Sequence, residues 1–385
     1  MRARYTYQPD YAVHPGETLR EKLEELGMTP KEFAVRTGKP VKTISEILNG
    51  KSSITFEMAV LFEKVLKIPA GFWIKKQSNF NELVAREKHQ KELEQAIDWA
   101  KLFPYPQMAK LDFVKATRKA EEKVEELLHF FNVSKPTAWE NIYMNRQTPV
   151  FFRISLKHAK NPYALSALMR MGEIKANSIE APDFNKVVLK SILPELKNIM
   201  SNKPSDYLQQ IQKKCLLAGV KVIYTHNLPK TVIHGTVRWI IDKPVLQMTD
   251  RLKRYDIFWF SLFHEIGHIL LHGNKKNIFL EEINNSENKD YKEKEADNFS
   301  AQWLLSDDEY EKIITTINSG AGIMETIQYY ANEFKTHKDI IIGRILYRNK
   351  DLYKFGFLQK EIEKVDFDEA RKRLNPKIKK KEKVK

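Results

Sequence analysis

The run His264-Glu265-Ile266-Gly267-His268 places two imidazoles four residues apart with a carboxylate beside the first. Residues i and i+4 share one face of a helix, so His264 and His268 can grip a single zinc ion while Glu265 reaches the water held there. The chemistry this suits is metal-assisted hydrolysis of a peptide, with Glu265 taking a proton from water and passing it to the leaving amine. A hydrolytic zinc keeps one position open, so a third protein ligand must come from elsewhere. Glu293 is the candidate. In the segment from Glu293 to Leu305, Ala296, Phe299, Trp303 and Leu304 recur at helical spacing, and Glu293 and Asp297 share a neighbouring face. Asp297 is then placed to accept the N–H of a ligating imidazole and fix its tautomer. Glu295 is the competing ligand, but one turn on it meets Phe299 rather than an acid. His272, again one turn beyond His268, reads as a helix-end residue favouring the carbonyl dipole. Without the histidines, this acid run is an ordinary solvated helix face. His337, in THKDIIIGR, is the candidate donor to a developing oxyanion, although no spacing rule ties it to the site.

Positioning these groups takes a helix for the histidines, a second for the acids, and a scaffold beneath. KVIYTHNL, VIHGTVRWII and VLQMT, just upstream, are strand-like, and Asp242-Lys243-Pro244 reads as a hairpin turn between the last two. From Lys110 to Gly219 nearly everything has helical period. Near the N-terminus, GETLREKLEELG, TPKEFAVRTG, VKTISEILNG and TFEMAVLFEKVLKI are short amphipathic helices; Gly27, Gly38 and Gly50 end three of them, and Thr29 and Thr55 are N-cap candidates. A charged helix, ELVAREKHQKELEQAIDWAKLF, leads out and stops at Pro104-Tyr105-Pro106.

TPKEFAVRTGKPVKTISEILNG has the layout of a helix-turn-helix, whose second helix turns Ile44, Ile47 and Leu48 inward. Val41, Lys42, Thr43 and Ser45 then lie near the groove edge, and Lys39 and Lys51 can meet phosphates. The alternative is a helical bundle with no nucleic acid. Glu46 brings a negative charge onto the reading helix, tolerable if it meets a cytosine amine or points away from phosphate.

The formal charge of +15 over 385 residues points to a polyanionic partner, although part of the excess sits in RKRLNPKIKKKEKVK, from Arg371 to Lys385. With a single cysteine, Cys215, no disulfide framework exists, and a reducing compartment is expected. No stretch offers the apolar length of a signal sequence or a membrane span, so a cytoplasmic protein is expected.

Two resemblances follow from these motifs. HPGETLREKLEELGMTPKEFAVRTGKPVKTISEILNG and its continuation to FNE resemble the HigA-type branch of helix-turn-helix (XRE-like) antitoxins and repressors, through His14-Pro15-Gly16, Ile44-Ser45, Leu48-Asn49-Gly50, Ile54-Thr55 and Phe72-Trp73. FFNVSKPTAW, AGVKVIYTHNLP, GTVRWIIDKPVLQMTDR, FWFSLFHEIGHILLHG and EKEADNFSAQWLL resemble the ImmA/IrrE metallo-endopeptidases. The resemblance implies a multidomain, mainly α protein. Residues 1–80 form an all-α DNA-binding domain, 81–190 a helical middle region, 191–350 an α+β zincin-like metallopeptidase domain with a small sheet, and 351–385 a basic tail. It also implies Zn2+ on His264, His268 and Glu293 with Glu265 as base, operator DNA bound by a homodimer, and a protein substrate such as a repressor or antitoxin. An alternative reading keeps the repressor but makes the peptidase-like domain a sensor or a holder of a small toxin, without turnover. Relatives commonly have Ala at the position of Ser300 and continue into Leu-Met-Pro or Leu-Ile-Pro where this chain has Leu305-Ser306-Asp307, which leaves the end of the acidic helix open.

Overall fold

The structure, a computed structural model, describes residues 13–144, 161–273, 286–349 and 355–367. The basic run from Arg371 lies outside the described residues. The chain divides into two compact units, one built from residues up to 98 with 118–125, the other from 99–117 and from 126 onward. The middle region expected over 81–190 is therefore not a body of its own; its residues are shared between the two.

In the first unit five helices follow one another: α1 (Pro15–Glu25), α2 (Pro30–Thr37), α3 (Val41–Leu48), α4 (Phe56–Leu66) and α5 (Ala70–Gln95). Their boundaries have local causes. The Thr29 hydroxyl accepts the Glu32 N–H at 3.2 Å with Pro30 at the first helical position, and Thr55 caps α4 through Met58 N–H at 3.3 Å. Gly38 closes α2 at φ 64°, a left-handed conformation that lets the chain turn into α3. Leu19, Phe33, Ile44, Ile47, Phe62 and Trp73 are fully buried, with the Phe33, Phe62 and Trp73 rings at 4.9 and 5.7 Å from one to the next.

Gly16 lies where α1 meets the end of α3, and a methyl group there would overlap the Ile47 carbonyl oxygen. Backbone cannot yield as a side-chain tip can. Gly16→Ala is expected to destabilise this unit by about 1–3 kcal/mol through that overlap, read as a lowered melting temperature of its transition. Unchanged melting would refute the close approach.

In the second unit the sheet has the order β1-β3-β2, from β1 (Lys221–Thr225), β2 (Gly235–Ile240) and β3 (Lys243–Thr249). β1 runs parallel to β3 with Val222 opposite Leu246, and β2 runs antiparallel with Val237 opposite Leu246. The expected hairpin is present one residue earlier in the chain. Ile241 and Asp242 form its turn at φ 45° and 62°, the pair of positive values that matches the twist of a tight hairpin. The helix Tyr255–Gly267 lies against β2 and β3 and buries Tyr255, Phe258, Trp259, Leu262, Phe263 and Ile266 along one stripe.

The tail begins later than the sequence implied. Residues 355–367 carry a short 3-10 helix, Gly356–Glu361, and bury Phe355, Leu358, Ile362, Val365 and Phe367 in the same core as the Tyr255–Gly267 helix. Sequence patterning overlooked these five because they are scattered among charges and lack a sustained period.

Candidate metal centre and nucleic-acid interface

The helix Tyr255–Gly267 hides its aromatic stripe and turns His264 outward, and His268 opens the π-helical stretch His268–His272 that continues it. Beside it runs the helix Ser286–Leu304. Their close approach has two causes. Gly267 has no side chain, and a Cβ there would stand 3.1 Å from the Phe299 ring. Ser300, fully buried, donates its hydroxyl to the Phe260 carbonyl at 2.8 Å, which ties the two helices together. The acidic helix ends just beyond. Ser306 and Glu309 form a reciprocal capping box that starts the next helix, Asp307–Asn318.

This packing brings three donors together. His264 Nε2 and His268 Nε2 are 3.0 Å apart, and the Glu293 carboxylate stands 3.3 Å from the first and 3.6 Å from the second. Ligands held tetrahedrally at zinc–nitrogen distances of 2.0–2.1 Å are spaced by about 3.3 Å, so the triad has the spacing of three corners of such a site. Asp297 Oδ1 lies 2.8 Å from His264 Nδ1, the nitrogen that faces away from the triad. Glu295 takes no part in it. Its carboxylate accepts from the Tyr291 hydroxyl at 2.9 Å. His272 also stays outside, with Nε2 at 3.2 Å from the Lys292 carbonyl.

Glu265 is 9% exposed, and burial raises its pKa against the pull of His268 and His264 and the N–H of Val237. Its chain lies under β2. A Cβ on Gly235 would come within 2.9 Å of the Glu265 Cγ, so glycine at that position leaves room for the carboxylate. Neither Gly235 nor Val237 carried a signal in the sequence, since a backbone N–H and a missing side chain have none. Burial disfavours a charged His264, but hydrogen bonds with Asp297 and Glu293 outweigh it and push its pKa up to about 10. Glu293 is held far below the usual carboxylate range by hydrogen bonds with His264 and His268. Three acids thus surround two imidazoles, an excess of negative charge that a divalent cation complements.

His337 does not join this group. Its ring packs on Tyr255 with centroids 4.6 Å apart, and Tyr255 lies nine residues before His264, a helical rise of about 14 Å. There His337 caps the helix Lys338–Arg348 by accepting the Asp339 N–H at 3.2 Å, beside Asp339 and Glu363. The expected oxyanion donor is thus a capping residue at the opposite end of the histidine helix. Asp339 and Glu363 are in turn paired with Lys338.

On α3 the expected DNA-facing residues are distributed as the helical period requires. Val41, Lys42 and Ser45 are exposed, Thr43 is half-buried, and Lys51 follows on the exposed turn. Lys39 is committed instead to Glu57 on α4 at 2.6 Å, which leaves it less free for phosphate than the sequence suggested. Lys42 Nζ and the Glu46 carboxylate are 4.0 Å apart.

Among the described residues, no helix is long and apolar enough to cross a membrane. A helix-turn-helix family model matches residues 19–73, and the model described as the IrrE N-terminal-like domain matches residues 219–339. Virulence-associated protein A of Dichelobacter nodosus is 39% identical over 69 residues, 17% of this chain and 68% of that protein. The uncharacterized HTH-type transcriptional regulator YddM of Escherichia coli K12 is 33% identical over 64 residues, with the same two coverages of 17% and 68%. A solved addiction module antidote protein of a HigA family from Coxiella burnetii shares 32% identity, covering 22% of this chain and 92% of its own, with a TM-score of 0.21. The chain therefore belongs to the helix-turn-helix regulators, with a peptidase-like IrrE N-terminal-like domain matched over residues 219–339.

Proposed function

We propose that this DNA-binding regulator carries a zinc-dependent endopeptidase whose substrate is a repressor or an antitoxin protein. The observation that carries the reading is the triad of His264, His268 and Glu293 at 3.0–3.6 Å with the buried Glu265 beside it. These residues suit zinc in donor type, spacing and charge. When bound, such an ion supplies Lewis acidity, polarising a carbonyl and acidifying water. The chain's own residues do the rest. Glu265, its proton affinity raised by burial, accepts a proton from water and returns it to the departing amine. Asp297 fixes the tautomer of His264, which leaves Nε2 free toward the triad. Among the described residues β2 is an edge of the sheet that pairs with β3 alone, and it reaches Glu265 through Gly235 and Val237. An edge strand offers unpaired backbone groups to an extended peptide, which suits a protein substrate in a locally unfolded segment.

The N-terminal unit binds operator DNA as a homodimer through α3, with phosphates met by Lys51. Incubating the zinc-loaded chain with the regulators encoded at its own locus is expected to yield a discrete cut in one of them. Glu265→Gln is expected to slow that cut by about 10²- to 10⁴-fold while keeping its metal. No cut in any candidate, or equal cutting by the variant, removes the enzymatic half. A second reading rests on the likeness of the N-terminal unit to a HigA-family antidote protein. There the peptidase-like domain holds a small toxin without turnover, and a stable complex with an unprocessed neighbour protein would favour it.

A further inference from the structure

The outward side of α3 carries the exposed Val41, Lys42 and Ser45, the half-buried Glu46 and, at its C-cap, the exposed Asn49, while Ile44, Ile47 and Leu48 point into the core. Four of the five can hydrogen-bond, and they stand as two pairs. Asn49 donates to the Ser45 hydroxyl at 3.4 Å, and Lys42 faces Glu46 at 4.0 Å, with side chains 86% and 42% exposed. A carboxylate on a surface that approaches two phosphate chains is repelled by them, and Lys42 only offsets its charge. That leaves α3 with one cation and one anion and no net charge to attract the backbone. Such a helix can contribute selectivity more than affinity.

A carboxylate accepts and never donates, whereas an ammonium donates and never accepts. The edges of the major groove offer two donors, the cytosine N4 and the adenine N6 amino groups. In a G·C pair the cytosine N4 and guanine O6 are hydrogen-bonded to each other and so lie about 3 Å apart, about 1 Å less than the 4.0 Å between Glu46 and Lys42. Guanine adds N7 beside O6, a doubled acceptor for the ammonium, while an A·T pair offers thymine O4 next to a methyl group.

We propose that Lys42 and Glu46 act together as the reader of one C·G base pair in the operator, Lys42 on guanine O6 and N7 and Glu46 on cytosine N4. Glu46 is then a specificity-determining residue. Positions i and i+4 on a helix face each other, so both side chains approach the same base pair from one side of α3.

Selection of binding sites from randomised duplexes, with the full chain and with Glu46→Gln, tests this. The wild-type chain is expected to prefer C·G by about tenfold at one position of the selected site. In Glu46→Gln that position is expected to turn to A·T, because a carboxamide offers an acceptor and a donor matched to adenine N6 and N7. The salt dependence of binding is expected to stay the same, as no phosphate contact is lost. Lys42→Met is expected to relax preference at the same position and no other. An identical motif from wild type and Glu46→Gln overturns the proposal and leaves DNA binding intact, as does a wild-type preference for A·T there. Failure of the wild-type chain to enrich any duplex overturns both.

Discussion

Replacing His264 by alanine is expected to reduce bound zinc from about one equivalent per chain to below about a tenth, while the fold survives. On the proposed assignment, His264 gives one of three donors, and the two that remain, His268 and Glu293, leave no three-point site. His268→Ala is expected to do the same. Asp297→Ala is a different case, because Asp297 touches His264 through the nitrogen that faces away from the triad. Its loss is expected to weaken zinc by roughly 10- to 100-fold without abolishing it. Protons compete for these ligands. Hydrogen bonds with Asp297 and Glu293 push the His264 pKa up to about 10, so near neutrality zinc has to displace a proton from it. Retention against a chelator is therefore expected to fall as the pH falls, with proton release on adding zinc. Metal analysis beside circular dichroism reads all of this. Equal zinc in wild type and His264→Ala, with both folded, would falsify the assignment.

What could be read without coordinates follows the range of the interactions involved. The spacing of His264 and His268 is local, because four residues along a helix fix the face whatever lies around it. Glu293 and Asp297 were legible one step further on, through the apolar rhythm of Ala296, Phe299 and Trp303 that orients their helix. The caps at Thr29, Thr55 and Gly38 are likewise properties of a few consecutive residues. Contacts between distant segments were not legible in this way. Gly235 and Val237 reach Glu265 only because β2 is the sheet edge beside the histidine helix. No spacing rule tied His337 to the site, and packing on Tyr255 sets it at the far end of the histidine helix. Lys39 showed the same limit, since Glu57, eighteen residues on, takes it up.

The second large effect concerns the segment 355–367. A chain ending at residue 354 is expected to lose the folded state of the unit that holds the metal triad. Five apolar side chains, Phe355, Leu358, Ile362, Val365 and Phe367, are at most 9% exposed. At about 1.5–3 kcal/mol for each, their removal costs roughly 8–15 kcal/mol, as much as the whole net stability of a typical domain. The loss falls on the first turn of the histidine helix. Glu363 takes the Tyr255 N–H at 3.0 Å, Val365 donates to the Lys253 carbonyl at 2.8 Å, and Arg254 pairs with Lys364 across a β-bridge. The Phe367 ring lies 5.9 Å from Phe258 on that helix, so its stripe would be opened to water. A milder variant separates packing from chain length. Leu358→Ala, at a fully buried position, is expected to cost about 2–5 kcal/mol and to leave a folded protein. Thermal unfolding with near-ultraviolet dichroism distinguishes the cases. The full chain is expected to show a cooperative transition of this unit, Leu358→Ala to show it several degrees lower, and the shortened chain to lack that transition and retain no zinc. A shortened chain that melts within a few degrees of the full one would mean that the Tyr255–Gly267 helix holds its place without its C-terminal brace.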